Sequence, residues 1–146
     1  MIETVEKRGF TASLTPPAQE APTSRPTKTA LAKVDVQTIA TGVVFRPEDH
    51  LVAGKITIVD YYADWCGPCL VLDRKLQVLA AERGDIAIRK ADIVEWGSKL
   101  GEHIIKTYKI TGIPYVRVYA ADGTFLGAVN KNRIADVERL LPALEK

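Results

Sequence analysis

Cysteine and histidine are scarce in this chain of 146 residues, with two of each. His50 and His103 lie far apart and form no H-x₃₋₅-H pair, so a zinc site built from two cysteines and two histidines is not expected. No metal is predicted. Charge of one sign is also lacking. Twenty Lys and Arg against eighteen Asp and Glu leave a net charge of +2, too little to argue for nucleic acid or an acidic membrane surface. No apolar run approaches the roughly 18 residues of a membrane-spanning helix. No dinucleotide fingerprint or phosphate-binding loop occurs. The opening residues are charged where a signal peptide would carry its apolar stretch. A cytoplasmic protein is therefore expected from the chain as it stands, and an extracytoplasmic one if an anchor or signal precedes it.

What is present divides in two. Thr, Pro, Ala and Ser dominate from about Thr11 to Thr29, and Pro16, Pro17, Pro22 and Pro26 interrupt any helix or ladder. Such a segment buries too little apolar surface to offset its ordering entropy, so residues 1 to about 30 are expected to be a flexible tail. Residues 31–146 read as one domain in which strand and helix patterns alternate. Short strands are expected over Val34–Thr41 and Ile86–Ile93. The run Ile56–Ala63 is apolar enough for a central strand buried on both faces. Cys66–Arg83 carries Leu72, Leu76, Leu79 and Ala80 at helical spacing, with Gly84 as its stop. Trp96–Tyr108 reads as a second helix, and Pro47–Leu51 as a turn or short helix. Tyr115–Ala120 and Thr124–Val129 flank Ala121-Asp122-Gly123 as a hairpin, and Ile134–Leu144 closes the chain as an amphipathic helix containing Pro142. These elements predict an α/β fold: a mixed sheet with helices on both faces.

The two cysteines stand in Trp65-Cys66-Gly67-Pro68-Cys69, after the apolar strand and at the start of a helix. A thiolate, not a thiol, attacks a disulfide, and a free cysteine with a pKa of about 8.5 is mostly protonated at neutral pH. Unpaired N–H groups and the dipole at a helix N-terminus favour negative charge there. Cys66 is thus the candidate nucleophile. Cys69, nearly one turn on, is the candidate resolving thiol that closes a Cys66–Cys69 disulfide. Gly67 offers no side chain where a substrate approaches, and Pro68 suits a first helical turn. Asp60 breaks the apolar strand six residues before Cys66. A carboxyl buried there would have a raised pKa, suited to acid–base service for Cys69.

The stretch Val59-Asp60-Tyr61-Tyr62-Ala63-Asp64-Trp65-Cys66-Gly67-Pro68-Cys69, Lys90 in the following strand, and Thr111-Gly112-Ile113-Pro114 before the hairpin together resemble the thioredoxin family over roughly residues 34–146. The resemblance implies the thioredoxin fold and a protein-disulfide reductase, working through a mixed disulfide and a Cys66–Cys69 redox cycle without another cofactor. In that family the first thiol of the motif has a pKa of about 7. The resemblance also implies that Lys90 neighbours Asp60, that Pro114 is a cis-proline facing the dithiol, that Ile113 offers its backbone to substrate, and that Trp65 covers the site. Gly-Pro between the cysteines goes with reducing members. Implied partners are disulfide-containing proteins and a thioredoxin reductase, with the protein a monomer. Tyr61-Tyr62-Ala63-Asp64-Trp65-Cys66 also resembles the thioredoxin-like domains of bacterial membrane thiol transporters, which keeps a membrane thiol donor as the alternative. A binding module with an incidental dithiol is a further alternative. Leu70, Arg74, a long Val94–Lys109 segment and Asn130-Lys131-Asn132 depart from the family pattern, and they bear on partner choice more than on chemistry.

Overall fold

The structure is a computed structural model that describes residues 33–143. The tail expected over residues 1–30 lies outside the described residues, as does Leu144 at the end of the expected closing helix. Among the described residues, five strands run β1 (Asp35–Thr41), β2 (Ile56–Tyr62), β3 (Ile86–Asp92), β4 (Tyr115–Tyr119) and β5 (Phe125–Val129). The same residues form three α-helices, α1 (Gly67–Arg83), α2 (Lys99–Tyr108) and α3 (Ile134–Glu138), and Pro47–His50 forms a 3₁₀ turn.

The sheet order is β1-β3-β2-β4-β5. β2 pairs in parallel with β3 and antiparallel with β4, so the most apolar strand takes the centre. Its side chains alternate between two cores. Ile56 and Ile58 join Leu72, Leu76 and Leu79 of α1 and Val137 of α3. Val59, Tyr61 and Ala63 point the other way, with Leu100 and Ile104 of α2. Helices therefore lie on both faces. β1 is fastened to β3 by Arg89, which donates to both carboxylate oxygens of Asp35 at 2.9 and 3.1 Å.

Helix ends follow local chemistry. Gly84 takes the left-handed conformation (φ 78°) that a residue with Cβ adopts at a cost, and its N–H closes onto Ala80 O. α2 starts at Lys99 and not at Trp96, because the Ser98 hydroxyl caps the N–H of Gly101. α3 ends at Glu138, well short of the expected Leu144. Pro142 restricts the residue before it to extended backbone and supplies no N–H, so the last apolar residues, Leu140 and Leu141, pack on the core from a turn.

Candidate active site

β2 leads directly into α1, and the junction places both cysteines. Cys66 is the N-cap of α1, Gly67 and Pro68 form its first turn, and Cys69 follows inside the helix. The backbone N–H of Cys69 donates to Cys66 Sγ at 3.2 Å. One of the unpaired donors of the helix start thus aims at the sulfur that would carry negative charge. Cys66 and Cys69 are joined as a disulfide, with their Cα atoms 5.2 Å apart. Cys66 keeps 6% of its surface exposed and Cys69 none, so an incoming group reaches the first sulfur only. The pair stores two electrons as a dithiol and gives them up on closing.

The Ile113–Pro114 peptide is cis. The Ile113 carbonyl oxygen stands 3.8 Å from Cys66 Sγ, which brings this loop against the dithiol from a segment 47 residues away. Asn130, at the end of β5, holds the loop: its side-chain amide donates to Gly112 O and to Pro114 O, both at 2.8 Å. Sequence reasoning noted Asn130 only as a departure from the family pattern and gave it no task. Its Cys66-facing neighbours make its loss measurable. Asn130→Ala removes two hydrogen bonds worth about 1 kcal/mol together in this exposed position, so the KM for a protein disulfide is expected to rise about fivefold. Steady-state kinetics on insulin and on a small aromatic disulfide, compared side by side, check this. An unchanged KM for insulin means the clamp does not matter.

Trp65 is 56% exposed beside the dithiol, and its indole N–H donates to Val94 O at 2.6 Å. Val94 holds φ at 67°, a region that β-branched residues rarely enter. The turn is fixed from both sides, because the Asp92 carboxylate accepts from Val94 N–H at 2.8 Å and Gly101 packs under it. A Cβ on Gly101 would meet the carbonyl oxygens of Glu95 and Trp96 at 2.6 and 2.7 Å, so only glycine lets α2 approach this closely. Leu70 and Val71 in the first turns of α1 are also exposed, which leaves an apolar rim near the disulfide.

Asp60 is fully buried on β2, under α1, and neither carboxylate oxygen has a hydrogen-bond partner among the described residues. Burial and, after it, the neighbouring Asp73 charge push its pKa up to about 7, with Lys90 opposing them. Lys90 is the register partner of Asp60 across β2 and β3. Its ammonium, however, lies 3.3 Å from Asp73 Oδ1 and 4.4 Å over the Tyr62 ring. Asp73 escaped sequence reasoning, although one signal existed: an acidic residue four positions after Cys69, on the helical stripe that otherwise carries Leu72 and Leu76. His50 and His103 contact aromatic rings, Phe45 and Tyr108 respectively, and no cluster of three metal-ligating side chains occurs among the described residues.

The sequence model of the Thioredoxin family matches residues 45–139, well over half of the chain. The chain belongs to the thioredoxin family. Thioredoxin of Chlamydia pneumoniae is 41% identical over 66 residues, which are 45% of this chain and 60% of that protein, so the match spans less than two thirds of this relative. Thioredoxin of Mycoplasmoides gallisepticum is 30% identical over 91 residues, 60% of this chain and 85% of that protein. Among solved structures, one of a complex between ferredoxin:thioredoxin reductase and thioredoxin f2 matches with a TM-score of 0.54 and 22% identity, covering 72% of this chain and 90% of that one. That last likeness shows the thioredoxin fold alone. The motif Cys66-Gly67-Pro68-Cys69 and the Ile113–Pro114 loop lie within the stretch the thioredoxin family model matches.

Proposed function

We propose that this protein is a thiol–disulfide oxidoreductase that reduces disulfides in other proteins through Cys66 and Cys69. One observation carries the reading: a cysteine pair at disulfide distance on a helix N-terminus, with a backbone N–H aimed at the exposed sulfur. In the reduced protein the Cys66 thiolate attacks one sulfur of a substrate disulfide. The substrate S–S bond breaks, a mixed disulfide forms on Cys66, and the first substrate thiolate leaves and takes a proton. Cys69 then loses its proton to the Asp60 carboxylate and attacks Cys66 Sγ. The mixed disulfide breaks, the second substrate thiolate leaves, and Cys66–Cys69 is left oxidised, so two electrons pass to the substrate.

The surroundings fit this sequence of steps. The exposed Trp65, the bare Gly67 and the short Pro68 leave Cys66 approachable from one side. The Ile113 backbone, with Pro114 behind it, offers an extended edge against which a substrate strand can lie. Lys90 balances the buried acidic charge near Asp60. Cysteine chemistry of this kind needs no further cofactor, and the donor that restores the dithiol would be a thioredoxin reductase or a membrane thiol donor. The structure of thioredoxin f2 with ferredoxin:thioredoxin reductase supports the first class of donor. No described helix is long and apolar enough to cross a membrane. The test is insulin reduction driven by dithiothreitol: the protein is expected to accelerate precipitation of the insulin B chain, and a rate equal to dithiothreitol alone would refute the proposal.

A further inference from the structure

Lys90 and Asp60 are register partners on adjacent parallel strands. Opposite charges so placed, one of them fully buried, would ordinarily pair directly, since an unpaired buried charge is costly. That pair is not the one formed. The Lys90 ammonium lies 3.3 Å from Asp73 Oδ1, an ion pair by distance without hydrogen-bond geometry, while no ion pair joins it to Asp60 among the described residues. Asp73 is held in place by Gln77, whose side-chain amide donates to Asp73 Oδ2 at 3.0 Å. It sits one helical turn beyond Cys69, on the same stripe of α1.

We propose that Asp73 is a positioning residue for the proton transfer at Cys69: by engaging Lys90 it leaves the Asp60 carboxyl without a direct ion-pair partner beneath the helix that carries the dithiol. The inference rests on Asp60 being the acid–base group that serves Cys69. Among the described residues, the charges that act on Asp60 are Asp73 of α1 and Lys90 of β3; Tyr62 follows it two residues on along β2, and its register partner on β4 is the apolar Val116. With so few charges in the pocket, moving one of them is not masked by others. The geometry turns Lys90 from a direct partner of Asp60 into a partner of Asp73. Burial first, and the Asp73 charge after it, keep the carboxyl that must exchange a proton with a thiol able to hold that proton near neutral pH.

The test uses the full oxidised chain and follows the Asp60 carboxyl carbon by NMR across pH. In Asp73→Asn a like charge is removed and Lys90 is released toward Asp60, so the Asp60 midpoint is expected to fall by about one pH unit. In Lys90→Gln the cation acting on Asp60 among the described residues is lost, and the midpoint is expected to rise. A midpoint unchanged in both variants would overturn the proposal, and either variant alone decides it if the other does not fold. The pH–rate profile of insulin reduction is expected to shift with the midpoint in Asp73→Asn, which a merely structural Asp73 would not cause. The underlying reading fails separately: if the Asp60→Asn profile matches the wild type, Asp60 has no part in turnover, and the positioning role of Asp73 falls with it.

Discussion

A Cys69→Ser variant mixed with disulfide-containing proteins is expected to accumulate covalent adducts that dithiothreitol releases, whereas Cys66→Ser forms none. The asymmetry follows from exposure and from the helix start. Only Cys66 shows surface, and only its sulfur receives the Cys69 N–H. With Ser at position 69 the first attack still proceeds, but no thiol remains within reach to break the mixed disulfide, so the intermediate persists. With Ser at position 66 the reachable atom is a hydroxyl far too weakly acidic to attack an S–S bond, and insulin reduction is expected to drop to the rate of dithiothreitol alone. Non-reducing gel electrophoresis followed by reduction reads the first result, and the turbidity assay reads the second. If Cys66→Ser matched the wild-type rate, the dithiol would be ornamental and the binding-module reading would take its place.

The second large effect concerns stability and pH. Asp60 has its pKa raised to about 7 in the folded protein, from an ordinary value of 3.8. Between those two values the folded state holds a proton that the unfolded chain has released. Stability is therefore fully present below pH 3.8 and declines as pH rises through about 7, after which it levels off. At 1.36 kcal/mol for each pH unit, the decline attributable to this one buried group is on the order of 4 kcal/mol. Asp60→Asn removes the titration and keeps the shape. The variant is expected to match the wild type near pH 3 and to exceed it by pH 8, with guanidinium denaturation of the oxidised proteins as the measurement. Parallel stability curves across that range would show that Asp60 does not titrate as a buried acid. The same variant is expected to slow turnover at neutral pH, where Cys69 must lose a proton. A residue kept at the cost of stability while it speeds turnover is the trade-off expected of a functional group.

Much of the architecture was legible because it is written in periodicity. β2 is a mostly apolar run interrupted by one carboxylate, and such a run sits at the centre of a sheet. α1 carries its leucines at helical spacing and stops at a glycine. The hairpin shows as two strand patterns around Ala121-Asp122-Gly123. Element ends were less legible. The Ser98 cap set the start of α2, and Pro142 cut α3 to under half of its expected length, because capping and proline sterics act on single residues and outweigh a stripe of leucines. At the site, the cysteines and their order along the chain could be read directly. Asn130 and Asp73 could not, since each acts on a residue brought near only by the fold: Asn130 on carbonyls 16 and 18 residues away, Asp73 on a lysine of the next strand.

The sequence by itself determined the reactive pair, since two thiols separated by Gly-Pro at a strand-to-helix junction need only local backbone to meet. It also determined the layered α/β order, because alternation of strand and helix periods leaves few ways to bury the apolar faces. Tertiary structure alone decided which charge answers which. Three ionisable side chains on β2, α1 and β3 compete within one pocket, and the distances that settle the contest, a lysine drawn to Asp73 and away from Asp60, exist only after the helix has been laid across the sheet. Coulomb energy depends on separation and on solvent exclusion, and neither is defined along a chain before it has packed.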